Sequence, residues 1–319
     1  MLLKLYYSIV TMIKFYIPDG HLEKKTIDLF TRAGFDLKVS ERGYTPKIDD
    51  DEILLKRLRP QDFPFILSLH KGDIGITGTD ILTEFKLNYP DIAEHVEIIL
   101  PLGFGATRLV AAISHKVLPS IKNIGDFKAY ADEKKAKGEN VIVATEYPAI
   151  SGNYLRGKGI DNIIIRKPAG KTEAWLVPPD PEADLIIDTT ETGTTLLANN
   201  CKELDTVMEA HSVLIANSMS MNDANKKRKI YEVVQLFTGA LEGEGRVNVW
   251  MDVIDPVKLD GVLEALSEYV EKPTISELKD GGYDVFVVIC EKHLKYMLPK
   301  LKDAGASSIS VSDTRLFIE

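Results

Sequence analysis

The sequence predicts an α/β protein with two similar lobes around a cleft, followed by a small βαββαβ domain. Three observations predict this architecture. Strand-like and helix-like segments alternate through the first half of the chain, the alternation starts again near residue 106, and a turn-rich break at 242–245 precedes a segment of different composition. We expect lobe I at 1–105 and 200–243, lobe II at 106–199 and the small domain at 244–319.

Apolar periodicity predicts the elements of lobe I. The run 13–17 alternates apolar and polar residues before a Pro-Asp-Gly turn, as a first strand does, and a helical stripe at 22–33 ends at Gly34. Further strands are predicted at 35–39, 53–58 and 73–76, and further helices at 60–70 and 79–85. Sheets covered by helices on their faces produce this alternation.

Lobe II repeats the pattern. Strands are predicted at 109–113, 141–144, 163–165 and 185–187, and helices at 126–137 and 148–158. We expect the chain to return to lobe I through 205–216 and a long helix at 222–241. Clefts between two such lobes are common binding places for small ligands, so a site is predicted there.

The segment after the break has its own order of elements. Strand, helix, strand, strand, helix and strand are predicted in turn at 247–254, 257–270, 274–278, 283–290, 293–304 and 309–311. This is the split βαβ, or ferredoxin-like, order.

Composition excludes several classes of protein. Of 319 residues, 45% are hydrophobic and 27% charged, which excludes a disordered or collagenous chain. Acidic residues outnumber basic ones 48 to 39, so we expect no nucleic-acid partner and no anionic-membrane partner. Cys201 and Cys290 have no spacing typical of a disulfide framework or of structural zinc.

The N-terminal segment resembles a signal peptide only superficially. Lys4 and Lys14 interrupt its apolar run, and no small-residue cleavage site follows. We therefore expect a cytoplasmic protein without a membrane span. Met12 offers a second start site, which would make residues 1–11 an extension.

The stretch 183–199 carries the most chemical information. A buried-looking strand ends at Asp188, and a threonine- and glycine-rich loop then leads into an apolar helix. Backbone N–H groups at a helix start bind anions, and Gly193 allows close approach of a phosphate. Threonine hydroxyls, which add no charge, are supplied by Thr189, Thr190, Thr192, Thr194 and Thr195. The alternative is a threonine-rich helix cap without a ligand.

Two carboxylates in this stretch need a different partner. Asp188 and Glu191 would repel a bare phosphate, but a ribose diol or a bound Mg²⁺ would accept them. A sugar phosphate that carries pyrophosphate offers both. The loop therefore predicts a ligand of this chemistry.

A second loop, 71–80, has a similar arrangement. A short strand leads to Thr77-Gly78-Thr79 at the start of a helix, and this loop could face the first across the cleft. Three arginines, Arg57, Arg59 and Arg108, stand at predicted strand-to-helix junctions and are candidates for the local positive charge. Ordinary surface arginines are the alternative.

Read together, these segments resemble the long form of ATP phosphoribosyltransferase. The resemblance extends over nearly the whole chain, in order: LRPQDFP, GDIGITGTD with Glu84, FGATRL, ATEYP, YLRGKGI, Gly170 to Glu173, IIDTTETGTTLLANN, KPTISEL and LKDAGASSI. It implies two periplasmic-binding-protein-like lobes and an ACT-like regulatory domain that binds histidine. It also implies Mg²⁺ dependence and dimers that assemble into hexamers.

The resemblance also implies a reaction. Adenine N1 of ATP attacks the anomeric carbon of phosphoribosyl pyrophosphate, and pyrophosphate leaves, which is the committed step of histidine biosynthesis. Adenine N1 has a free lone pair, so no strong general base is needed. Alignment of two polyanions and stabilisation of an oxocarbenium-like ribose would supply the rate.

Site residues are implied by position. Thr192, Gly193, Thr194 and Thr195 would hold the 5′-phosphate of phosphoribosyl pyrophosphate, with Asp188 and Glu191 near the ribose hydroxyls. The carboxylates with a catalytic role would be Glu146, Glu173 and Asp188. ATP would contact His21, Arg59, Thr77, Gly78, Asp80 and Arg108. Mg²⁺ would enter with pyrophosphate, without a dedicated protein site.

One departure concerns the first βα turn. The family usually has Gly-Arg-Leu there, whereas this chain has Gly20-His21-Leu22 after Asp19. A neutral histidine is a weaker phosphate partner than arginine. This motivates an alternative: a two-lobed small-molecule binding or sensor protein, for a nucleotide or histidine, with weak or no catalysis.

In the last domain, the resemblance implies that histidine contacts Asp255, Thr274 and Ser308. Asp255 could pair with a cationic group of the ligand, and the two hydroxyls could form hydrogen bonds. Each residue also has a local alternative, namely a helix cap before Pro256, a strand start and a turn.

Overall fold

The described chain forms two compact units. A computed structural model describes residues 12–40, 43–270 and 272–318, so the predicted extension at 1–11 lies outside it. Unit 1 contains the residues up to Ile27 and Leu37–Tyr231, and unit 2 contains Asp28–Asp36 and the chain from Glu232 onward.

Strands account for most of the predicted framework. In chain order they are β1 Ile13–Pro18, β2 Leu37–Lys38, β3 Lys47–Ile48, β4 Ile53–Leu58, β5 Ile74–Gly78, β6 Val96–Pro101, β7 Thr107–Ser114, β8 Val141–Thr145, β9 Ile163–Arg166, β10 Leu185–Thr190, β11 Cys201–Ala210, β12 Ser212–Asn217, β13 Arg246–Val253, β14 Thr274–Glu277, β15 Tyr283–Cys290 and β16 Ser307–Asp313. The predicted strand at 35–39 shrinks to β2, which pairs with β3 in a two-stranded sheet.

Helices cover these sheets. In chain order they are α1 Glu23–Ala33, α2 Phe63–Ser68, α3 Thr79–Asn88, α4 Pro90–Ala93, α5 Ile124–Ala136, α6 Pro148–Gly157, α7 Thr194–Ala198, α8 Ser218–Asn222, α9 Ala224–Glu242, α10 Leu259–Ser267 and α11 Leu294–Ala304. Among the described residues, no helix is both long and apolar enough to cross a membrane.

Lobe I is a five-stranded mixed sheet. Its strand order is β4-β1-β5-β12-β6, with β1 parallel to β4 and β5, and β12 antiparallel to its neighbours. Every residue of β5 and β12 is buried, as expected for central strands that are covered on both faces. Helices α2 and α3 pack on one face through Phe63, Leu67 and Phe85.

Lobe II is a second five-stranded sheet, in the order β11-β7-β10-β8-β9. Strands β10, β8 and β9 are parallel, and β7 and β11 are antiparallel to their neighbours. Helices α5 and α6 cover one face with Phe127 and Leu155, and α7 covers the other with Leu196. The threonine loop therefore follows the carboxyl end of a parallel strand, where ligand sites form in such sheets.

The return to lobe I differs from our expectation of 200–243. Residues 201–210 pair with β7 in the sheet of lobe II, so the chain enters lobe I only at Ser212. Irregular pairing at Glu203/Asp205 and Thr206/Met208 breaks the two-residue period of β11, which hides this strand in the sequence. The chain crosses between the lobes at 102–106 and at His211, and Ser212 N–H donates to the Phe104 carbonyl at 3.1 Å.

Unit 2 contains the predicted ferredoxin-like domain. The sheet order β14-β15-β13-β16, with all pairs antiparallel, matches the βαββαβ prediction. Val249, Val285, Leu266 and Leu301 fill its core. The unit begins earlier than the expected residue 244, because the end of α9 and part of α1 belong to it, and Phe237 packs edge-on against Phe30 at 4.9 Å between ring centroids.

Candidate active site

The threonine loop is folded by its own side chains. Gly193 has a φ of +76° and stands immediately before α7. Its N–H donates to Thr190 Oγ1 at 2.8 Å, and the hydroxyls of Thr192 and Thr194 are 3.0 Å apart. The side chains of Thr192, Thr194 and Thr195 are exposed. The loop thus presents threonine hydroxyls to solvent at the end of β10, an arrangement that suits an anion.

Three carboxylates act on one another beside this loop. Burial raises the pKa of Asp188 to about 6; the N–H of Thr189, which donates to Asp188 Oδ1 at 2.7 Å, opposes this rise, and the nearby charges of Glu173 and Glu146 add to it. The structure thus brings together the three carboxylates that the sequence singled out, although their catalytic role stays a prediction. Their mutual repulsion favours a cationic or oxocarbenium-like partner.

The loop of lobe I is built around Gly78. A Cβ atom on this glycine would lie 2.1 Å from Asp80 Oδ1, so a larger residue would have to displace the Asp80 carboxylate. Thr77 is fully buried, and its hydroxyl donates to the Pro60 carbonyl at 3.0 Å. We therefore reassign Thr77 from nucleotide binding to support of this loop.

The end of β10, just before the threonine loop, and the Gly78 loop meet at the cleft. One cavity is lined by His21, Gly78 and Asp80 of lobe I and by Tyr147 and Thr189 of lobe II. Predicted residues from distant parts of the sequence therefore converge between the lobes.

Of the three candidate arginines, Arg59 is the most exposed. Arg59 is 68% exposed, with its Nε 3.8 Å from an Asp19 carboxylate oxygen. It lies over Gly20, since a Cβ there would be 3.0 Å from Arg59 Nη1, and the neighbouring His21 is exposed. Arg59 can thus turn to an anionic ligand at little structural cost.

The other two candidate arginines are held in ion pairs. Arg57 is buried, with its Nη1 2.8 Å from Glu23 Oε1. Arg108 donates to both oxygens of Glu203, at 3.0 and 3.3 Å, and to Thr206. To contact ATP, Arg108 would have to break its ion pair with Glu203 or bind both groups at once.

Sequence reasoning missed the roles of Glu203, Tyr147 and Glu84. Glu203 lies against the threonine loop, 2.7 Å from where a Cβ of Gly193 would stand. Burial, followed by the charge of Asp80, raises the pKa of Tyr147, so this phenol stays protonated and donates to Asp80 Oδ2 at 2.6 Å. The four-residue spacing of Asp80 and Glu84, which places two carboxylates on one helix face, was the available signal.

The three predicted histidine contacts lie in unit 2. Asp255 accepts a hydrogen bond from Val257 N–H at 3.1 Å, so it is a cap, as the alternative expected. Ser308 has a φ of +49° where the pairing of β16 with β13 is irregular. Thr274 begins β14, at the opposite edge of the sheet from β16, about 14 Å away at the usual strand spacing. Within one chain, Thr274 and Ser308 therefore lie at opposite edges of the sheet.

In the part of the chain that the structure describes, no three His, Cys, Asp or Glu side chains are grouped closely enough to hold a metal ion. The carboxylates around Asp188 interact through space without forming such a group.

The fold and this site define a two-lobed α/β protein with a threonine-rich loop that follows a parallel strand beside its cleft. The model of the family described as HisG: ATP phosphoribosyltransferase matches residues 59–239. The chain belongs to the ATP phosphoribosyltransferase family, and it is a transferase of histidine biosynthesis.

Individual relatives extend the match over most of the chain. It is 38% identical to an ATP phosphoribosyltransferase of Archaeoglobus fulgidus, over 80% of this chain and 88% of the relative. It is 35% identical to that of Thermodesulfovibrio yellowstonii, over 93% and 94%. A solved structure, the ATP phosphoribosyl transferase (HisG:HisZ) complex from Thermotoga maritima, matches with a TM-score of 0.54 at 23% identity, over 71% of this chain and 98% of that one. At that identity the likeness concerns the fold alone.

Proposed function

We propose that this chain joins N1 of ATP to the ribose of phosphoribosyl pyrophosphate, giving phosphoribosyl-ATP and pyrophosphate. One observation carries the proposal: Thr189, at the end of β10 where the threonine loop begins, lines one cavity with Gly78 of lobe I, and a carboxylate cluster lies beside Thr189 at Asp188. Family membership supplies the chemistry of the two substrates.

The arrangement of groups suits a displacement at the anomeric carbon. Adenine N1 forms the new bond with its lone pair as the carbon–oxygen bond to pyrophosphate breaks, and the bonding electrons leave with pyrophosphate. Thr192, Thr194 and Thr195 hold the 5′-phosphate. Asp188 and Glu173 face the ribose, where negative charge stabilises a developing oxocarbenium ion. Positioning of two bound polyanions supplies much of the rate.

ATP is assigned to the lobe I side of the cleft. Gly78 and Asp80 line the cavity there, with His21 beside them and the exposed Arg59 at the rim. Arg108 joins them if it exchanges Glu203 for a phosphate. Glu146, which is exposed next to Tyr147, completes the carboxylate cluster between the two substrates.

Mg²⁺ is the proposed cofactor. The charges of Glu173 and Glu146 add to that of Asp188, so this cluster would attract a Mg²⁺ ion that enters with pyrophosphate. Bound Mg²⁺ would neutralise the charge of the departing pyrophosphate.

The proposal is tested by turnover. ATP, phosphoribosyl pyrophosphate and Mg²⁺ should yield phosphoribosyl-ATP with the purified chain, and absence of product from folded protein would contradict the transferase proposal. His21→Arg provides the comparison with a sensor. Equal rates for the variant and the natural chain remove the motivation for a sensor, whereas a large gain supports it.

Histidine is the proposed inhibitor, acting through unit 2. Asp255 and Ser308 lie at the same end of the sheet, because Asp252 pairs with Ser307. Thr274 stands at the other edge, and a second copy of the chain could bring its own Thr274 to the Asp255 and Ser308 of the first. This supports a homo-oligomer, either a dimer or a hexamer built from dimers.

A further inference from the structure

Two carboxylates of α3 bind a single segment of lobe II. Glu84 accepts hydrogen bonds from the N–H groups of Ala149 and Ile150, both at 2.8 Å. Asp80, one turn earlier on the same helix face, accepts the hydroxyl of Tyr147 at 2.6 Å. All three bonds join lobe I to lobe II. We call these five residues the interlobe latch.

The lobe II segment lacks a cap of its own. Helix α6 begins after Tyr147, whose side chain makes no cap hydrogen bond, and Pro148 in the first position has no N–H. The N–H groups of the next two residues would therefore lack partners. Glu84 supplies both, and it places a negative charge at the positive end of the helix dipole. Lobe II leaves this helix end open, and lobe I closes it.

Beside the latch, the two lobes are separated by a cavity. This cavity has a volume of about 370 Å³, and it is lined by Phe65 and Tyr89 of lobe I and by Glu146 and Lys167 of lobe II. Phe65 and Tyr89 are 41% and 47% exposed. Polar bonds, rather than a packed apolar seam, therefore join the lobes at this point.

The segment held by the latch also carries Glu146, one residue before Tyr147. We propose that Asp80 and Glu84 are positioning residues, which fix lobe II on lobe I and hold Glu146 beside Asp188. The catalytic part of this inference rests on the proposed function, whereas the latch itself does not. Neither carboxylate needs to touch a reacting atom.

Amide hydrogen exchange tests the latch directly. Glu84→Gln removes the charge, and it can accept only one of the two N–H groups while its NH₂ opposes the other. We expect the amides of Ala149 and Ile150 to exchange about tenfold faster in the full-length variant, as the loss of a helix cap implies. The control, Glu94→Gln, changes an exposed carboxylate elsewhere in lobe I and should leave these amides unchanged.

Kinetics test the positioning role. Glu84→Gln should lower kcat roughly tenfold or more, with each KM within about threefold, because Glu84 does not line the cavity assigned to ATP and each substrate keeps its own contacts. Tyr147→Phe, which removes the hydroxyl that bonds to Asp80, should lower kcat as well. Unchanged exchange in Glu84→Gln, or faster exchange with unchanged kcat, would overturn the inference. If the natural chain makes no product, the proposed function fails, and the exchange measurement still decides whether the latch exists.

Discussion

At the residue scale, the surroundings of Asp188 oppose the negative charge of its side chain. Its folded-state pKa, about 6 against an ordinary 3.8, means that the folded chain binds this proton more tightly than the unfolded chain. Protonated Asp188 therefore contributes fully to the free energy of unfolding below about pH 4, and this contribution is lost as the pH rises through 6. A carboxylate kept at such a cost is typical of a functional position.

Asp188→Asn should consequently stabilise the protein at pH 8, by up to about 2–3 kcal/mol in the free energy of unfolding, and the gain should vanish towards pH 4. The same variant should lose activity, because a neutral amide stabilises an oxocarbenium ion poorly. Denaturant unfolding at several pH values measures the first effect, and turnover measures the second.

Asp161→Asn is the control for this prediction. Asp161 is an exposed carboxyl of the same lobe whose pKa is lowered by the hydrogen bond from Lys135, at 2.6 Å. Asp161→Asn should have the opposite effect on the free energy of unfolding: a small decrease that appears above pH 4. An Asp188→Asn protein less stable than the natural chain at pH 8 would contradict the assignment of buried, opposed charge at this site.

Among the elements, the loop between β10 and α7 depends most on one backbone conformation. Gly193→Ala should cost roughly 1–2 kcal/mol for its positive φ. The new methyl group would also press on the Glu203 carboxylate, which Arg108 holds in place. We expect the KM for phosphoribosyl pyrophosphate to rise about tenfold, since a misplaced loop loses about one charged hydrogen bond.

Gly138→Ala separates strain from site geometry. Gly138 has a φ of +75°, and nothing lies within 4 Å of its added Cβ. This variant should lose a similar amount of stability in thermal unfolding without any change in KM. Equal KM values for both variants would remove the threonine loop from the phosphate site.

How far the sequence predicts the elements depends on how regular each one is. The central strands β5, β10 and β15 appear where apolar runs and turn signals predict them. Strand β11 was assigned to the wrong lobe, because two pairing irregularities erase its alternation. Strand β6 was missed, since its exposed residues give no alternating pattern.

The candidate site also has features that the sequence predicts and features that it does not. Local signals predict the threonine loop and the turn at Gly78, because a glycine and its neighbours suffice to define them. Partners distant in the chain could not be predicted. Arg108 forms hydrogen bonds with Glu203, which is 95 residues away, and Glu84 accepts a hydrogen bond from Ala149, which is 65 residues away. Single-sequence patterns carry no information on such pairs, which depend on how the sheets assemble.

At the scale of the whole molecule, unit 2 should give control by histidine. Asp255→Ala should raise the histidine concentration for half-inhibition about tenfold, the loss expected for a charge-assisted hydrogen bond, while the uninhibited rate stays unchanged. Initial rates across a histidine titration measure this effect.

Asp260→Ala, an exposed acidic residue of the same unit, is the control and should keep normal inhibition. Because Asp255 also caps a turn, thermal unfolding of both variants should accompany the titration. Inhibition that survives in Asp255→Ala would place the histidine site elsewhere.

We propose that the two lobes bind the two substrates across one cleft. A crystal structure of the chain with phosphoribosyl-ATP would show where each part of the product binds. We predict the 5′-phosphate on the loop 192–195, the ribose beside Asp188 and Glu191, and the adenosine phosphates towards Gly78 and Arg59. A product bound with its 5′-phosphate away from the threonine loop would contradict the account.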